Sequence, residues 1–451
     1  METQTRKDAR PSAWLPAFSR MPVAAALIGL LLGSNAMTVN ATNGAYLPGY
    51  SPKALAMGGG GTALPEDALT VHNNVAGLAV VDDQITAAVT LYSPWTKVDI
   101  GSVQVPTDLH WFPAPGLAWR HGIGANKAIG FALYGNGGIG NHFQPSFLDL
   151  AAGGGSPTGI PHTEELSISQ ISMLAVPSFA MRVNDQHALG VGLVFGLQTF
   201  KAEGLALFGC VTPQGAADPA CALPGGLPAR EPAGLTNEGT GKSLAIGLRF
   251  GWLWQANNRL DLGVGATTPL KSTRMREYRN LLPDHGAFDQ PGEVNLGLAW
   301  HATPAVTIAL DWQRTFYAAT RDYGNPGPLA GTAPTPGQLL GKPGGYGFGW
   351  NNQDIYRLGL RYAFDPRLTL RAGFNYSESP VGSDQISFAL LNPGIMERSV
   401  HAGATWRRRN GDEVTVSFFR GFREQLRGVS VLGPAQVTHH EYALGLGYNW
   451  R

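Results

Sequence analysis

The chain has 451 residues, of which only 14% are charged, with Lys+Arg 33 against Asp+Glu 32; soluble domains carry about 25%. That balance leaves no electrostatic footprint for nucleic acid, and two cysteines exclude a disulfide-dense scaffold or a four-cysteine zinc site. Low charge, 60 glycines and 10% aromatics, without a long apolar run, point to a membrane β-barrel.

Residues 1–20 carry Arg6, Lys7, Arg10 and Arg20. Met21–Leu32 is apolar but shorter than the roughly 20 residues a membrane helix needs. A basic flank, a short apolar core and small residues after it read as a signal peptide over 1–41. Cleavage fits after Ala36 or, preferably, after Ala41, and Met21 is an alternative start. No later stretch suits a transmembrane helix. An exported chain that crosses a membrane without helices must close into a barrel, since only closure satisfies every backbone group in lipid.

Residues 42–83 do not alternate and are dominated by Gly, Ala and small polar side chains. Such a segment forms no core of its own but can fold compactly inside a pore. It is read as an N-terminal plug, or hatch, inside the lumen, with a disordered periplasmic tail as the alternative.

From residue 84 to 451 the period is two. Leu244, Ile246, Leu248, Phe250, Trp252 and Trp254 form one stripe, and Tyr356, Leu358, Leu360, Tyr362 and Phe364 another. At the C-terminus Tyr442, Leu444, Leu446, Tyr448 and Trp450 face one way, with Gly, Ala and Asn opposite. A soluble sandwich would place Lys, Glu and Thr on that second face. The pattern predicts an all-β fold, a 14-stranded antiparallel transmembrane β-barrel whose lumen holds the hatch. Tight turns alternate with long connections at 93–113, 137–165, 200–241, 269–291, 318–353, 378–397 and 423–439. That alternation places long loops outside the cell and both barrel ends on the periplasmic side.

The motifs Ala41-Thr42-Asn43-Gly44, Met57-Gly58-Gly59-Gly60, Glu66-Asp67-Ala68 and Asn73–Leu78 follow in order. They are joined by Asp311-Trp312-Gln313-Arg314 with Phe316-Tyr317, and by Gly347-Phe348-Gly349-Trp350. In these the chain resembles the FadL/OMPP1 family of outer-membrane transporters of long-chain fatty acids and aromatic hydrocarbons. The resemblance implies a hatch-closed barrel in the bacterial outer membrane that captures hydrophobic compounds at its loops and releases them sideways through its wall. Asn74-Val75-Ala76 departs from the family's Asn-Pro-Ala, and Arg451 follows the terminal aromatic Trp450.

Chemistry is otherwise sparse. Gly58-x-Gly60-x-x-Ala63 lacks a preceding strand, Gly239–Ser243 lacks the first P-loop glycine, and His439-His440-Glu441 lacks a second zincin histidine. No catalytic residue, metal or cofactor is expected. Cys210 and Cys221 read as a disulfide pinning a surface loop. Arg249, Arg357, Arg361 and Arg371 point into the lumen, where either a cargo carboxylate or hatch acids such as Glu66 and Asp67 would neutralise them. Trp111, Phe112 and Phe143 stand among apolar loop residues that read as an exposed capture surface, or alternatively as a lid packed on itself. Gly135, Gly137, Gly138 and Pro177 weaken neighbouring strands and mark a candidate lateral opening, with an ordinary bulge as the alternative. The expected partners are hydrophobic small molecules, outer-membrane lipid and lipopolysaccharide, and the barrel-assembly machinery. A porin for polar solutes is the alternative function, and a lipid hydrolase or adhesin a more distant one.

Overall fold

A computed structural model describes residues 43–151, 165–222 and 228–451. The signal segment and both cleavage positions lie outside the described residues. Fourteen strands form one closed antiparallel barrel among the described residues. In chain order they are β1 Gln84–Ile100, β2 Phe112–Gly122, β3 Lys127–Phe143, β4 Leu166–Arg182, β5 His187–Glu203, β6 Gly241–Asn257 and β7 Leu260–Thr267. There follow β8 Glu293–His301, β9 Val306–Thr315, β10 Gln353–Ala363, β11 Leu368–Ser377, β12 Arg398–Arg407, β13 Glu413–Ser430 and β14 Gly433–Trp450. Each pairs with its chain neighbour, and β14 closes on β1 with Trp450 opposite Ile85. No helix among the described residues is long and apolar enough to cross a membrane.

The stripes read from the sequence are the outer face. Leu244 and Leu446 are 63% and 54% exposed, and Ile246, Tyr356, Leu358 and Leu444 project likewise. Large apolar side chains exposed in rows round a closed sheet suit hydrocarbon and would be costly in water. Inside, small residues admit the N-terminal chain. A Cβ on Gly265 would fall 2.0 Å from the Asn73 carbonyl oxygen, and one on Gly373 2.2 Å from the Gly58 nitrogen.

Two connections differ from expectation. The stretch 423–439 is not a loop: β13 and β14 stay paired up to Ser430↔Gly433. β1 likewise runs on to Ile100 and pairs with a short strand, Val103–Pro106. These extensions carry Arg, Glu, Gln and Asp on their faces, so the apolar–small contrast that marks a lipid-facing strand is missing there while the ladder continues.

Candidate functional site

Three pieces of short structure order residues 43–83: helix α1 Pro52–Ala56 and two 3-10 turns, Ala68–Val71 and Val75–Ala79. Polar side chains at their starts fix them. Ser51 accepts from the Ala54 nitrogen, Asp67 from Leu69 and Asn74 from Ala76. Asn74 also donates to the carbonyls of Thr62 (2.8 Å) and Trp252 on β6 (2.9 Å). The Asn-Val-Ala sequence thus keeps a capped turn without proline, because the cap is made by Asn74, and Val75 is fully buried.

The segment is tied to the wall by charge. Asp311 on β9 accepts from the nitrogens of Gly61 (3.1 Å) and Thr62 (2.8 Å). Lys53 pairs with Glu413 on β13 at 2.7 Å, both buried. Arg371 grips Glu66 with two hydrogen bonds, of 2.9 and 2.7 Å, and Arg361 stands 3.5 Å from the same carboxylate. The carboxylate that neutralises these two arginines therefore belongs to the chain, in place of one carried by cargo; Asp67 is spent on its cap. Burial alone would raise Glu66, but Arg371, with Arg361 and Lys53, holds it at about 2. Arg357 donates to Gln313, and its Nε has no partner among the described residues.

Sequence reading names Arg249 as a lumen arginine but misses the polar group it joins. Arg249 on β6, 2% exposed, donates to Tyr134 on β3 (2.6 Å), Thr267 (2.9 Å) and the Val71 carbonyl (3.2 Å), and lies 3.4 Å from Glu293. Burial, with Arg249 and Arg357 beside it, holds His72 of the segment well below the usual histidine range. Its partners are far apart in sequence, so no local spacing announces the group.

Above the segment the loops bury one large apolar cluster. It runs from Phe208, Phe288, Phe348 and Phe388 through Tyr317, Tyr323 and Trp350 to Phe143, Ile139 and Tyr46. The expectation of an exposed capture surface is corrected here. Phe143, Phe147, Leu148, Leu205 and Phe208 are buried, and Phe112 belongs to a separate cluster with Tyr92 and Phe419. Trp111 alone of the three named loop aromatics is exposed, at 63%. The loops pack on each other because apolar side chains from six connections find each other before they find water. Cys210 and Cys221 are joined in a disulfide within this roof.

The wall has one discontinuity beside that cluster. On β3 the ladder to β4 shifts between Gly135 and Gly137, leaving Asn136 as a bulge. Gly137, with φ +135°, faces Tyr46 of the segment, and Gly138 donates to the Ala45 carbonyl at 3.1 Å. The ladder to β4 is otherwise unbroken, with Pro177 opposite Phe131. The stretch without pairing is on the other side of β3. β2 and β3 pair from Gly122↔Ala128 to Gly116↔Tyr134, and no ladder joins Phe112–Pro115 to Gly135–Phe143 among the described residues. Pro113 and Pro115 explain it, because neither has an N–H to donate. They were the signal in the sequence for this seam.

A closed fourteen-strand antiparallel barrel with apolar rows on its outer face is the architecture of an outer-membrane β-barrel. The sequence matches the family of outer membrane protein transport proteins (OMPP1/FadL/TodX) over residues 34–425, and the chain belongs to that family. Its fold is similar to the toluene transporter TodX of P. putida, with TM-score 0.65 at 16% identity, covering 89% of this chain and 98% of that one. It is also similar to the toluene transporter TbuX of Ralstonia pickettii (TM-score 0.60, 15% identity, 90% and 98% covered). A Pseudomonas aeruginosa FadL homologue gives 0.62 at 15%, with 90% and 99% covered. No curated protein sequence matches this one.

Proposed function

We propose that the protein admits hydrophobic compounds, such as aromatic hydrocarbons or long-chain fatty acids, passively across the outer membrane, without catalysis. The observation that carries this reading is the single apolar cluster that begins under the loop roof at Phe208 and Phe388 and ends at Ile139 and Tyr46, beside the β3 bulge. A hydrophobe entering such a cluster gains about 25 cal/mol per Å² of apolar area removed from water; a sugar gains nothing and loses its hydration. Residues 43–83 act as the hatch that blocks the straight path through the barrel. Cargo leaves sideways at the β2–β3 seam, into the lipid around Gly135, Ala114 and Pro115. The names of the structurally similar toluene transporters support the same substrate class. In the cell the outer face meets lipid and lipopolysaccharide, and the barrel-assembly machinery inserts the chain.

The test is uptake of labelled toluene, oleate and a small sugar by cells with and without the protein. Gain for either hydrophobe and none for the sugar is the expected result. Gain for the sugar alone would overturn the reading in favour of a polar-solute porin.

A further inference from the structure

Under the loop roof lies a cavity between the strand residues Ile168 and Phe200 and loop residues that include Phe208, Phe288 and Phe388. Its side-chain lining is apolar except at Asp322 and the hydroxyl of Tyr346, and it holds no Lys, Arg or His. Asp322 is 3% exposed, and its Oδ2 has no hydrogen-bond partner among the described residues. Burial drives this carboxyl well above its usual range, with Asp289 adding to the rise and backbone hydrogen bonds and Lys271 opposing it, which favours the neutral acid. A neutral carboxyl both donates and accepts hydrogen bonds. An unmatched polar atom in such surroundings favours a ligand that can pair with it.

We propose that this cavity recognises a neutral hydrophobe carrying one hydroxyl group, a phenol-like ring or an apolar alcohol, whose hydroxyl pairs with Asp322 while its hydrocarbon body packs among the phenylalanines. An ionised fatty carboxylate finds no cation in the lining, and an unsubstituted ring leaves Oδ2 unpaired. The free space is about 40 Å³, whereas an apolar cavity that takes benzene measures about 150 Å³. A ring therefore enters only by displacing side chains, among them Phe208 and Phe388, which meet edge to face at 5.4 Å. The inference rests on hydrophobe uptake and narrows its substrate class.

The experiment is calorimetric titration of the purified full chain in detergent with p-cresol, toluene and decanoate, for the wild type, Asp322→Leu and Asp322→Asn. Wild type should bind p-cresol about tenfold more tightly than toluene, and decanoate least. Asp322→Leu should remove the preference by weakening p-cresol alone, and Asp322→Asn, which keeps a donor and an acceptor, should retain it. Heat-modifiable migration of each variant checks the barrel; should Asp322→Leu not fold, the wild-type ranking with Asp322→Asn decides. Equal affinity for p-cresol and toluene, or equal loss of both in Asp322→Leu, would overturn the inference while leaving hydrophobe uptake intact. Failure of cells to gain any hydrophobe would overturn both.

Discussion

Glu66 and Arg371 stand 305 positions apart in sequence, and their side chains meet through two hydrogen bonds of 2.9 and 2.7 Å where the N-terminal segment touches β11. Arg371 is 3% exposed in its side chain, so its charge depends on this partner. Breaking a buried pair by removing one partner costs about 3–5 kcal/mol. Glu66→Gln is expected to loosen residues 43–83 while the barrel persists. Faster proteolysis within 43–83, with unchanged heat-modifiable migration of the barrel, is the check.

The same pair sets an acid limit. Glu66 has its folded pKa depressed from 4.5 to about 2. The stability it contributes is therefore complete above about 4.5 and is lost as pH falls through about 2. Protease sensitivity of the segment should rise across that window in the wild type. In Glu66→Gln this part of the pH dependence should be absent.

Gly59 and Gly433 both have positive φ, +87° and +103°, yet they predict different outcomes. A Cβ on Gly59 would lie 1.5 Å from the Pro48 carbonyl oxygen, whereas one on Gly433 meets nothing within 4 Å. Gly433→Ala should cost only backbone strain, about 1–3 kcal/mol at a hairpin tip. Gly59→Ala must in addition displace the chain at Pro48, and should expose the segment to protease where Gly433→Ala does not.

The Cys210–Cys221 disulfide closes a short loop in the roof, with a sequence separation of 11. Closing about 15 residues is worth about 3 kcal/mol of loop entropy, confined here to a connection outside the wall. The double variant Cys210→Ser with Cys221→Ser should leave the barrel's unfolding temperature unchanged and speed cleavage within 204–240. A fall in barrel stability would show that the roof supports the wall.

Much of the architecture was legible because a lipid-facing strand sorts large apolar side chains from small ones with period two; the stripes at Leu244–Phe250 and Tyr356–Phe364 project outward accordingly. The sorting stops where strands leave the membrane, which is why the β13–β14 hairpin reads as a loop. Glu66 and the lumen arginines could each be named, and Glu66 could be offered as one partner for them, but only the fold chooses it over a cargo carboxylate. Loop phenylalanines look alike whether buried or exposed, so Phe143 and Phe112 fall in different clusters and Trp111 in neither. The lateral exit read from the sequence sits at β3 and β4, whereas the stretch without ladder pairing lies between β2 and β3. Gly135 and Gly137 drew attention to β3, while Pro113 and Pro115, which remove the donors, sit on β2.

In the proposed route, cargo leaves through the unpaired seam between β2 and β3. A Cβ on Gly135 would lie 3.7 Å from that of Ala114, within the separation a disulfide spans, about 3.5–4.5 Å. The most direct measurement is therefore toluene uptake by cells producing Ala114→Cys with Gly135→Cys, oxidised and then reduced, beside wild type treated in the same way. Oxidation should lower uptake several-fold, reduction should restore it, and wild type, with its own disulfide opened, should be little changed. Uptake equal in the oxidised and reduced double variant, with the cross-link verified, would contradict lateral release at this seam.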